Sequence, residues 1–127
     1  MIRRYFAQLR KVLDRFAHII STRSLSEKTY DDEFGFIKGR LTFNDDSRLE
    51  FSEVKHAQEA TKRKYRYQYM DDQNDLIFRY DNAKHYPDLP NFPHHKHLPN
   101  EVQSCEEPSL KQVMREVEKK VVKNDED

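Results

Sequence analysis

Four of the six histidines fall within thirteen residues, at His85, His94, His95 and His97, and the last three flank Lys96 in the run Phe92-Pro93-His94-His95-Lys96-His97. Imidazole titrates near pH 6.5, so neighbouring histidines hold and release protons near neutrality. Arg79 and Lys96 add fixed positive charge suited to a phosphate. These are the parts of a metal-independent endoribonuclease. One imidazole, His95 or His97, takes the proton of a ribose 2′-hydroxyl as that oxygen attacks the adjacent phosphate, and a second histidine protonates the leaving oxygen. Arg79 or Lys96 then stabilises the charge that develops on the phosphorus oxygens. This chemistry calls for no metal and no other cofactor. Asp81 either orients a catalytic imidazole or, with Asn82, pins the loop through local backbone bonds. The same histidines admit two other readings. His85 with two of the others would supply three ligands of a tetrahedral metal ion, or the segment is a surface loop tied down by histidine hydrogen bonds. In extended chain alternate residues share a side, so His95 and His97 converge and His94 faces away.

A scaffold must hold these groups. Ile2, Tyr5, Phe6, Leu9, Val12, Leu13, Phe16, Ile19 and Ile20 recur at the spacing of one helical stripe, which predicts a helix over 1–20 whose other face carries Arg3, Arg4, Arg10, Lys11 and Arg15. From Phe34 the period falls to two. Phe34, Phe36, Leu41 and Phe43, then Leu49 and Phe51, flank the turn-forming Asn44-Asp45-Asp46-Ser47, and a second pair of strands flanks Asp71 to Asp75. Residues 34–80 are thus expected to form two hairpins. The only two glycines, Gly35 and Gly39, lie inside the first strand, where a bulge or a close approach of backbone would justify them. In the third strand, Lys64 and Arg66 interleave with Tyr65, Tyr67 and Tyr69, a pattern that suits single-stranded RNA by base stacking beside phosphate neutralisation. Tyrosines on a half-buried strand equally suit a core. Pro87, Pro90, Pro93 and Pro99 make 81–107 a long histidine-rich loop. Val113, Met114, Val117, Val121 and Val122 predict an exposed amphipathic helix over 108–122, followed by a frayed tail at 123–127. The expected fold is a single α+β domain, a four-stranded antiparallel sheet with N-terminal and C-terminal helices.

Composition narrows the function. The 127 residues are 35% hydrophobic, below the roughly 45–50% of ordinary globular chains, so the core is small and depends on aromatics. Lys+Arg and Asp+Glu number 23 each, a balance that argues against tight nonspecific duplex binding and leaves any phosphate site to local patches. No apolar run suits a membrane span or a signal peptide, which places the chain in the cytoplasm with no membrane partner. A lone Cys105 forms no internal disulfide and no paired-thiolate zinc site. Phosphate-cradling glycine loops, helical His-Glu-x-x-His and Gly-x-Ser-x-Gly are all absent.

The segments Phe78-Arg79-Tyr80-Asp81-Asn82-Ala83 and Phe92-Pro93-His94-His95-Lys96-His97, with the Gly35 to Phe51 hairpin and the Tyr65 to Tyr69 strand, resemble the TumE-like family of prokaryotic toxins. His85 matches the histidine after the first motif, while Lys84 and Tyr86 depart from the pattern. The resemblance implies the toxin of a toxin–antitoxin pair, with a cognate antitoxin protein as partner and RNA as substrate. By analogy it also implies a barnase-like or RelE-like arrangement. Two other classes remain beside it: a noncatalytic module that binds a DNA-binding antitoxin, and a metal-dependent phosphate-transfer enzyme with histidine ligands. Exposed apolar helix faces would also serve a homodimer.

Overall fold

A computed structural model describes residues 1–126. Helix α1 (Ile2–Asp14) leads through a single 3-10 turn (Ala17–Ile19) into seven strands: β1 (Ile20–Thr29), β2 (Phe34–Phe43), β3 (Arg48–His56), β4 (Lys64–Met70), β5 (Leu76–Asp81), β6 (His95–Leu98) and β7 (Glu101–Ser104). Helix α2 (Leu110–Glu126) closes the chain. The strands form one antiparallel sheet in sequence order. The four-stranded, barnase- or RelE-like arrangement expected from the sequence therefore gives way to a seven-stranded meander, still α+β. The difference lies at both ends. β1 is polar on both sides and almost wholly exposed, so it shows no alternation, and β6 and β7 are four-residue strands inside the proline-rich stretch.

Turn chemistry sets the register. Asp31 Oδ1 accepts the N–H groups of Glu33 and Phe34 between β1 and β2. In the next turn Asp45 Oδ1 accepts the Ser47 N–H, with Asp46 in the left-handed region. Asp71 Oδ1 accepts the Gln73 and Asp75 N–H groups, with Asn74 left-handed. Short Asx side chains replace missing ladder bonds and tolerate that backbone conformation, which is why the polar tetrads mark the hairpin ends.

Both helices cover the same face of the sheet. Ile2, Phe6, Leu9 and Leu13 of α1 and Leu110, Val113, Met114, Val117 and Val121 of α2 join Ile37, Leu41, Leu49, Phe51, Phe78 and the β4 tyrosines in one core. α1 ends at Asp14, and the remainder of the predicted 1–20 stripe, Phe16 and Ile19, reaches the core from the turn before β1. A capping box starts α2, with Ser109 Oγ accepting the Gln112 N–H and Gln112 Oε1 accepting the Ser109 N–H. The apolar stripe of α2 is buried, so the exposed helix faces expected to support a homodimer are occupied within the chain. Of the expected frayed tail, residues 123–126 belong to α2, and Asp127 lies outside the described residues.

Candidate functional site

The helices leave the other face of the sheet open, and strand alternation decides what lies on it. Antiparallel partners share a face, so the register places Ser24, Ser26 and Lys28 of β1, Lys38 and Arg40 of β2, Arg48, Glu50 and Ser52 of β3, and Lys64, Arg66 and Gln68 of β4 together. Continuing across, Arg66 pairs with Asp81 and Gln68 with Arg79, and then Arg79 pairs with His97 and Asp81 with His95. The face thus carries Lys28, Lys38, Arg40, Arg48, Lys64, Arg66 and Arg79 against Glu50 and Asp81. A chain of zero net charge therefore presents a cationic sheet surface. A hollow of about 630 Å³ sits over β1 to β4, bordered by Ser24, Ser26, Lys38, Arg40 and Arg66, with the half-buried ring of Phe36 in its wall. It is distinct from the histidine cluster, which lies farther along the face on β5 and β6.

At that cluster Asp81, His95 and His97 bring one carboxylate oxygen and two ring nitrogens within 4.8 Å of one another. His95 is 1% exposed, and its Nδ1 lies 2.8 Å from the Pro93 carbonyl oxygen, an acceptor, so Nδ1 carries the proton. Its Nε2 lies 2.7 Å from Asp81 Oδ1 but out of line for a hydrogen bond, and this buried nitrogen has no hydrogen-bond partner. His97 Nε2 stands 3.5 Å from Asp81 Oδ2. Arg79 Nε donates to Asp81 Oδ2 at 3.1 Å, and the Ala83 N–H donates to Asp81 Oδ1 at 3.0 Å. Burial, and then the neighbouring Arg79 charge, hold the His97 pKa below the usual imidazole value although Asp81 pulls the other way. The Tyr86 ring lies edge-on to both histidines, 5.2 Å from His95 and 5.8 Å from His97 between centroids.

The other residues picked out by sequence separate. His94 faces away, its ring stacked on Tyr65 and its Nδ1 2.8 Å from the Tyr65 hydroxyl. Lys96 points to the helix side, where Nζ donates to Glu116 Oε2 at 2.7 Å beneath α2, so it is not beside the histidines. Burial opposes its charge, yet the bonds to Glu116 and Tyr80 raise its pKa. His85 lies on the loop between β5 and β6, near enough that its charge bears on His97. Tyr65, Tyr67 and Tyr69 are 0–1% exposed and form the core, which leaves them no free face for a base; Lys64 and Arg66, on the opposite side of the strand, are exposed. Asn82 pins the loop, its Oδ1 accepting the Tyr65 N–H and its Nδ2 donating to the Arg63 carbonyl. Asp81 bonds the loop backbone and also faces His95. Cys105 is partly buried, and burial pushes its thiol up to about 11, far from a reactive thiolate. Sequence reasoning missed Lys38, Arg40 and Tyr86. The alternation of Lys38 and Arg40 with Ile37, Gly39 and Leu41 carried the signal for the first two; Tyr86 showed only as a departure from the family pattern, with no sign of a role.

An open cationic sheet face ending in an Asp/His/His cluster marks this small α+β protein. A family description, Toxin TumE, matches residues 9–123, and the chain belongs to that family: it is the toxin of a toxin–antitoxin system, whose partner is a cognate antitoxin. No curated protein and no solved structure matches it. Among the described residues no helix is long and apolar enough to cross a membrane.

Proposed function

We propose that this toxin is an endoribonuclease that acts in the cytoplasm and cleaves single-stranded RNA at Arg79, Asp81 and His97. One observation carries the proposal: the β5–β6 register sets Arg79 opposite His97 and Asp81 opposite His95, on the same side as the cationic strands. A strand lying along that face would neutralise its phosphates on Lys38, Arg40 and Arg66 and bring one of them to Arg79. The His97 imidazole then accepts the proton of the adjacent 2′-hydroxyl as that oxygen bonds to phosphorus. Asp81, 3.5 Å from His97 Nε2, stabilises the imidazolium so formed. Arg79 meets the charge that builds on the non-bridging oxygens. The bond from phosphorus to the 5′-oxygen breaks, His85 supplies that oxygen's proton, and a 2′,3′-cyclic phosphate remains. The Ala83 N–H holds Asp81 in place at Oδ1.

The test is incubation of the purified chain with single-stranded RNA in chelator, beside His97→Ala and His18→Ala. His18 lies on the far side of the molecule, tied to Glu118 of α2. Cleavage with cyclic-phosphate ends, lowered about 10²- to 10⁴-fold in His97→Ala and unchanged in His18→Ala, is expected. A folded wild-type chain that leaves RNA intact, or a His97→Ala chain that cuts as fast as wild type, would overturn the proposal.

A further inference from the structure

We infer that Asp81, His95 and His97 form a binding site for one divalent transition-metal ion of the zinc class. The cluster is the one on which the nuclease proposal rests, but metal binding and RNA cleavage are read by separate measurements. The inference begins with the His95 tautomer. Because Nδ1 donates to the Pro93 carbonyl at 2.8 Å, the neutral ring presents a bare lone pair at Nε2. A backbone carbonyl that fixes one ring nitrogen so that the other points inward is the usual support of a metal-bound histidine. That lone pair is buried, lacks a hydrogen-bond partner and lies 2.7 Å from a carboxylate oxygen. Two such atoms need a positive charge between them, and because the contact is out of line for an N–H on Nε2, a metal ion suits it better than a proton.

The remaining donors complete the set. His97 Nε2 lies 3.5 Å from the second carboxylate oxygen, and the three ligand atoms are all within 4.8 Å of one another. Bonds of about 2.0–2.2 Å arranged tetrahedrally hold their ligand atoms roughly 3.4 Å apart. The short separations run to different oxygens of the carboxylate, His95 to Oδ1 and His97 to Oδ2, so the donors close on one ion after a small rotation of the Asp81 carboxylate. Two imidazoles with one carboxylate suit zinc, cobalt or nickel, whereas calcium and magnesium demand oxygen ligands. The supports are built as well. Ala83 N–H holds one carboxylate oxygen and Arg79 the other, and both histidines stand on a paired strand rather than a free loop. A tetrahedral ion with three protein ligands keeps a fourth position for water or a phosphate oxygen. With the ion in place His97 Nε2 is a ligand, so metal and acid–base chemistry compete for one imidazole.

The experiment titrates the metal-stripped full-length chain with Co²⁺ and with Zn²⁺ against a chromophoric chelator. One equivalent should bind, with visible cobalt absorption of low-coordinate intensity. Removing a ligand should cost at least as much as the 10- to 100-fold typical of losing a supporting residue. His95→Ala and Asp81→Asn should therefore each weaken binding about 100-fold or more, while His94→Ala, one residue away on the opposite side, should bind as wild type. Circular dichroism checks that each variant is folded, and Asp81→Asn keeps shape while removing charge. Wild-type chain that binds no equivalent, or that binds no better than His95→Ala and Asp81→Asn, would overturn the site. Cleavage in chelator that depends on His97 would stand whichever way this result falls.

Discussion

Glu53 has no exposed surface, yet it sits in an aromatic core as the acceptor of two phenols: Tyr67 donates to Oε2 at 2.5 Å and Tyr5 donates to Oε1. Burial, reinforced by that carboxylate, raises both tyrosine pKa values far out of the working range, so both remain donors. A bond to a buried charge is worth about 1.5–3 kcal/mol and a neutral one about 0.5–1.5 kcal/mol. Tyr67→Phe strips a donor from the carboxylate, whereas Tyr69→Phe loses only a neutral contact with the Ser47 hydroxyl at 2.8 Å. Urea denaturation should therefore rank Tyr67→Phe as the more destabilising of the two, by about 1 kcal/mol or more. Equal losses would mean that water or movement of the carboxylate replaces the bond. At this scale the sequence is partly legible. Period-two alternation alone parts His95 and His97 from His94, because facing follows from backbone geometry. Lys96 was misread because its place among three histidines suggested shared chemistry. The same alternation turns it to the helix side, where Glu116, far away in sequence, captures it.

At the scale of elements, Gly39 shows why a strand tolerates a residue that weakens strands. The ring of Phe51, its cross-strand neighbour, occupies the space where a Cβ would project, with Leu25 3.0 Å from the same point on the other side. Gly39→Ala would force the ring or the β2 backbone to shift, at about 1–3 kcal/mol of overpacking. Phe51→Leu in the same chain should recover part of that loss, a positive coupling in a double-mutant cycle. Simple additivity would show that the strain lies in the backbone instead. A close approach of chain segments was legible from a glycine within an alternating run; its partner was not. β1 was hidden more deeply. Its Ser, Thr, Arg and Glu residues are stabilised as a strand by pairing with β2 along nine registered positions, not by burial, so no periodic signal exists to find. β6 and β7 escaped because proline density marks irregular chain, while two short strands fit between Pro93 and Pro108.

At the scale of the whole molecule, charge is sorted between the two sides of one sheet. Summed over the chain it cancels, yet seven basic residues share the open face with two acidic ones, a surplus of five that composition conceals. Helical periodicity gathers Arg3, Arg4, Arg10, Lys11 and Arg15 on the free face of α1. The topology instead gathers Lys38, Arg40, Arg48 and Arg66 from three strands, which only the register reveals. Adjacent strands stand about 4.8 Å apart, so the span from β2 to β6 is roughly 19 Å, a distance a few extended nucleotides cover. If RNA takes this path, affinity must depend on salt through the phosphates neutralised, with a slope of about 0.7 per contact for a single strand. Anisotropy of labelled single-stranded RNA across a salt series, in a His97→Ala background that leaves the strand uncut, reads that slope. Replacing Lys38, Arg40 and Arg66 together with glutamine should weaken binding and flatten the slope by about 2. Replacing Arg3 and Arg4 with glutamine, on the exposed side of α1, should leave it unchanged. Two variants with the same slope would move the nucleic acid off the sheet, and a loss confined to Arg3 and Arg4 would assign it to the helix.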